Sequence, residues 1–72
     1  MSMKTTIKRG INGAAIRIYR QARGYTQGKL AEITGVPRPN ISAFETGDRR
    51  PSTQTLEKIA KALKVKTDLL LE

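Results

Sequence analysis

QGKLAEITGVPRPNISAFET, residues 27–46, is the stretch whose reading decides the fold. Its first part carries Leu30, Ala31 and Ile33 between Thr26 in front and Gly35 behind. The Thr26 hydroxyl is placed to cap a helix, because it can accept a free backbone N–H of the first turn. Gly35 stands where that helix must stop, since glycine enters the left-handed region without steric cost. A second short helix is expected over residues 37–45, with Ile41 and Phe44 on one face and Gly47 closing it. Two helices this short bury little between themselves. They need outside helices to pack against, and they leave the polar side of the second helix bare.

These residues resemble the helix-turn-helix of the phage-repressor and Cro (Xre) family. Counting from Gln27, the family pattern has a small residue in fifth place, glycine in ninth and a β-branched residue in fifteenth. The chain supplies Ala31, Gly35 and Ile41. Leu30, Val36 and Phe44 fill the apolar fourth, tenth and eighteenth places, and Thr34 in the eighth is more polar than family usage. The match continues outward: Arg20 and Arg23-Gly24-Tyr25 precede the stretch. Glu45-Thr46-Gly47, Arg49-Arg50-Pro51-Ser52 and Ala62-Leu63-Lys64-Val65 extend it to about residue 70. The resemblance implies an all-α fold, a compact lambda-repressor-like bundle of five short helices whose second and third form the helix-turn-helix. It also implies a sequence-specific regulator that binds double-stranded DNA as a homodimer.

Composition agrees. Seventy-two residues allow one small domain. Fourteen Lys and Arg against six Asp and Glu leave a net charge of +8, which favours a polyanionic partner. There is no cysteine and no histidine, so a thiol nucleophile, the usual general base and a thiolate metal site are all missing. The carboxylates are scattered singly, and no glycine loop with a lysine stands ready for phosphates. We expect no enzyme, no metal or cofactor and no small-molecule substrate. No apolar run approaches the eighteen or so residues of a membrane span, and the N-terminus lacks the apolar core of a signal peptide. The expected location is cytoplasmic.

Residues 1–9 read as a flexible basic segment with Lys4, Lys8 and Arg9, and residues 10–72 as the DNA-binding domain. Helix one is expected over 12–23, weakened before that by Gly10 and Gly13. Ala15, Ile16, Tyr19 and Ala22 make its apolar stripe, and Ile7, Ile11, Ala14 and Ile18 widen it. That wide arc is either core or a contact with a second chain. Ser52 caps a helix over 53–63, whose Leu56, Ile59, Ala60 and Leu63 form the cleanest amphipathic signal, with a Glu57–Lys61 pair on the wet side. Thr67 is expected to cap a last turn over 68–71, with Leu69 and Leu70 closing the core and Leu71 exposed.

The resemblance also assigns roles. Arg20 and Glu45 match an ion pair that ties helix one to the end of the recognition helix. With Ile41 and Phe44 inward, Arg38, Pro39, Ser42, Ala43 and Thr46 are the candidate base contacts. Arg38 can give a bidentate bond to guanine, Ser42 and Thr46 can bond several bases, and Ala43 offers a methyl contact to thymine. For Ser42 and Ala43 plain helix surface is an equal reading. Thr26, Gln27, Asn40, Arg49 and Arg50 are the candidate phosphate contacts, with Lys29 a weaker one. Pro39 is expected to push Arg38 toward extended geometry at the helix entrance. Ile11, Ile18, Leu70 and Leu71 are the dimer candidates. Two alternatives stand beside this reading: an antitoxin or controller that also binds a partner protein, and an interaction module that has lost DNA binding. Pro37 and Pro39 favour the second; Gln27, Arg38 and the +8 charge oppose it.

Overall fold

The computed structural model describes residues 10–72. Four α-helices follow in order: α1 Gly13–Ala22, α2 Gln27–Thr34, α3 Arg38–Thr46 and α4 Thr53–Leu63. A single 3₁₀ turn, Thr67–Leu70, ends the fold. The expected fifth helix is therefore only this turn, and it begins one residue earlier than residues 68–71. Its N-cap residue is Lys66, with no side-chain cap from Thr67. Its bonds run from the Leu69 N–H to the Lys66 carbonyl at 3.0 Å and from the Leu71 N–H to that of Asp68 at 3.1 Å, the i→i+3 spacing common in short terminal turns.

α1, α2 and α4 start as their sequences dictate. Asn12 accepts from the Ala15 N–H, Thr26 from Lys29 and Ser52 from Thr55. α3 is the exception: Pro37 is its N-cap, extended at ψ 139° and without a side-chain bond. Arg38 is already helical, contrary to the extended geometry that Pro39 favours. Pro37 takes the extended backbone instead, and its carbonyl closes the first turn to Asn40 and Ile41. Pro39 has no N–H to lose there, so the helix forms around it. Gly35, at φ +76°, turns the chain from α2 into α3.

α3 packs against α1 and α2, while α4 packs against α2 and the 3₁₀ turn. Ile16, Leu30, Ile41, Ile59, Leu63 and Leu70 are fully buried where these elements meet, and Phe44 and Leu56 join them. Gly13 is the point of closest approach between α1 and α3: a Cβ there would collide with the Phe44 carbonyl and stand 2.8 Å from that of Glu45. What reads in sequence as a weak helix start is a packing requirement.

The two ends of the described chain clasp each other. Ile11 and Leu71 form an isolated antiparallel bridge. The Asn12 N–H donates to the Leu70 carbonyl at 2.8 Å, and the Glu72 N–H to that of Gly10 at 2.8 Å. This pairing corrects three expectations. Leu70, wholly buried in its own core, has no surface for a second chain. Leu71 is half-buried against the core rather than exposed. Leu69 is 49% exposed rather than part of the core, because the turn aims Leu70 inward and its neighbour out. Ala22 likewise faces solvent, and Glu57 forms no ion pair with Lys61. The basic segment 1–9 and Ile7 lie outside the described residues.

Candidate nucleic-acid interface

One buried ionic cluster holds α3 in place. The Arg20 guanidinium donates from Nε to Oε2 of Glu45 at 2.6 Å and from Nη2 to Oε1 at 3.0 Å. Its Nη1 donates to the Tyr25 carbonyl at 2.8 Å. Gln27 Nε2 adds a bond to Glu45 Oε1 at 3.1 Å. The side chains of Arg20 and Glu45 are only 9% and 3% exposed, so both charges are desolvated and need this full set of partners. The cluster joins α1, the start of α2 and the last turn of α3. Gln27 is thus anchored inward by one N–H while standing in the first turn of α2.

Along the outer side of α3, Arg38 and Pro39 are exposed and Ser42 is half-buried. With Gln27 they line a shallow hollow of about 280 Å³ where α2 and α3 begin. Ala43 is half-buried one position further on. Thr46 stands apart at the other end of the helix, about 12 Å from Arg38 by the rise of an α-helix. Its hydroxyl donates to the Ala43 carbonyl at 3.1 Å and accepts weakly from the Asp48 N–H at 3.4 Å. That hydroxyl is occupied in closing α3.

Around the hollow lie further polar groups. The Thr26 hydroxyl accepts from the Lys29 N–H at 2.9 Å, so it serves as a cap. The N–H groups of Gln27 and Gly28 have no intramolecular partner among the described residues, and such a helix start suits a phosphate oxygen. Asn40 Oδ1 accepts a long bond, 3.4 Å, from Arg49 Nη1, linking the first turn of α3 to the loop after it. Arg49 and Arg50 are exposed in that loop, which the buried Pro51 pins to the body of the protein. Lys29 pairs with Glu32 at 3.6 Å, with both side chains largely in water.

The fold that carries this arrangement is shared with known proteins. The helix-turn-helix family profile HTH_3 matches residues 16–70. The chain belongs to the phage-repressor and Cro helix-turn-helix family. Among its curated relatives is the transcriptional regulator SinR of Bacillus subtilis, 38% identical over 61 residues, which is 83% of this chain and 55% of SinR. A SinR structure in complex with DNA superposes with a TM-score of 0.77 at 37% identity, covering 81% of this chain and 94% of that one. The P22 c2 repressor bound to a synthetic operator gives 0.79 at 32% identity, over 83% and 91% of the two chains. The restriction-modification controller protein C.AhdI of Aeromonas hydrophila gives 0.78 at 33% identity, over 81% and 88%. The chain spans about half the length of the curated relatives it matches.

Within this family frame, the sequence left two positioning residues unread. Gly13 admits the backbone of α3, as described above. Arg23 donates from Nε to the Leu63 carbonyl at 2.8 Å, closing the C-terminal end of α4 from the end of α1. Arg23 was visible as part of a matched run, but nothing in its spacing named a partner forty residues away.

Proposed function

We propose that the chain is a sequence-specific, double-stranded-DNA-binding transcriptional regulator of repressor type, acting in the cytoplasm as a homodimer on a pseudo-palindromic operator. The observation that carries this reading is the exposed hollow of Gln27, Arg38, Pro39 and Ser42, flanked by Arg49 and Arg50. α3 enters the major groove, Arg38 and Ser42 meet base edges, and Ala43 faces a thymine methyl. The α2 N-terminus, Thr26, Gln27, Asn40, Arg49 and Arg50 hold phosphates. Thr46 acts at the far end of α3, its base contact limited to what its occupied hydroxyl can still accept.

A single recognition helix spans too few base pairs for useful specificity, and two belong about 34–36 Å apart, one DNA turn. Ile18, 62% exposed, and Leu69, 49% exposed, supply the apolar surface for pairing, beside the half-buried Ile11 and Leu71. Selection of bound fragments from random duplex DNA, followed by footprinting, tests the proposal. The expected product is two inverted half-sites one turn apart; a single unrepeated half-site at all concentrations contradicts the dimer. The alternative of an antitoxin or controller that also binds a partner protein draws support from the likeness to the controller protein C.AhdI.

A further inference from the structure

A second groove lies away from the DNA-facing side, between the end of α2 and the last turns of α4. Tyr25, Ile33, Thr34 and Ala62 form its floor, and Lys58, Lys61 and Lys64 stand along its rim, enclosing about 420 Å³. Ile33 is 45% exposed there, although the helix that carries it has its other large apolar residue, Leu30, fully buried. None of the three lysines has an ion-pair partner among the described residues. The nearest carboxylate on the same helix is Glu57, which shares an adjoining hollow with Lys58 and Lys61 and leaves the rim cationic. Ile33 is about 9 Å along α2 from Gln27 by helical rise, so the groove and the phosphate-facing helix start occupy opposite ends of α2.

We infer that this groove docks an acidic, amphipathic segment of a partner protein. An apolar side chain of that segment covers Ile33 between Tyr25 and Ala62, and its flanking carboxylates meet Lys58, Lys61 and Lys64. Phosphate alone has no use for the apolar floor, and the basic residues 1–9 of this chain carry the wrong charge. The rim charges select acidic partners and speed their encounter, while the floor supplies the anchor. This inference is independent of DNA binding, because none of the groove residues belongs to the α3 face.

The test is selection of a displayed library of random twelve-residue peptides on the full chain, with the winners measured against Lys61→Glu and Ile33→Ser. Both positions are solvent-facing, and a thermal melt of each variant verifies that it folds. The expected winners carry Asp and Glu around one or two large apolar residues, and bind at least about tenfold more weakly to each variant. They bind Arg38→Ala as tightly as the parent. Three results overturn the assignment: no enrichment of acidic amphipathic peptides, binding that survives both groove substitutions, or binding lost on Arg38→Ala. Self-association of the chain that Lys61→Glu abolishes also overturns it, since the groove then receives a second copy.

Discussion

Arg38 carries the most specific residue-scale expectation. It is exposed in the first turn of α3 with Pro39 behind it, so its guanidinium is free to meet a base edge or a phosphate. As a base reader, Arg38→Ala loses about 1–3 kcal/mol on the best site and flattens preference at one G·C position. Binding to a set of single-position operator variants measures this; uniform weakening across the set makes Arg38 a phosphate clamp. Arg20 and Glu45 form the buried pair that ties α1 to the last turn of α3. Arg20→Met alone strands a buried carboxylate and is expected to cost about 3–5 kcal/mol, whereas the double change with Glu45→Leu recovers much of it. Urea melts of the two variants decide between them. If the single change costs no more than the double, the pair is not the tie that holds α3.

Elements meet at two places where a small change is felt across the fold. α1 and α3 touch at Gly13, where backbone carbonyls of α3 leave no room for a Cβ. Gly13→Ala is expected to cost about 1–3 kcal/mol by forcing the helices apart. Gly10→Ala is the control, because a Cβ at Gly10 meets only the flexible end of the Glu72 side chain. Thermal melts that rank the two equally remove the close approach as the reason for Gly13. The second place is Phe44, 6% exposed in the core that α3 shares with its neighbours. Phe44→Ala is expected to lose about 3–5 kcal/mol, most of what so small a core supplies, so the variant unfolds rather than merely binding less. A variant that melts with the parent places the ring outside the core.

At the scale of the whole molecule, the net charge of +8 is expected to make DNA binding strongly dependent on salt. A dimer that neutralises about 6–10 phosphates should lose roughly 10³–10⁵ in affinity between 50 and 200 mM salt. Gel shifts across that range test it, and salt-independent binding contradicts the electrostatic footprint. No described helix is long and apolar enough to cross a membrane. The two apolar surfaces left open differ in kind. Ile18 on α1 and Leu69 in the 3₁₀ turn stand exposed outside any lysine rim that the structure shows, whereas Ile33 sits inside one. Charge of one sign around Ile33 disfavours pairing of like copies there.

The local signals were legible in the chain itself: the caps Thr26 and Ser52, the Gly35 turn, the period of Leu56, Ile59, Ala60 and Leu63, and the outward side of α3. These depend on interactions between residues a few positions apart, which spacing encodes. The family pattern added the partnership of Arg20 with Glu45, which no periodicity contains. Tertiary structure alone decided the rest. It set Leu69 outward and Leu70 inward, because the clasp of residues 10–12 with 70–72 orients a turn too short to orient itself. It made Gly13 a contact and matched Arg23 with the Leu63 carbonyl. It also left Ile33 bare between lysines of another helix. Each of these rests on groups brought together by packing, and a linear pattern holds no record of which distant backbone atom a side chain will meet.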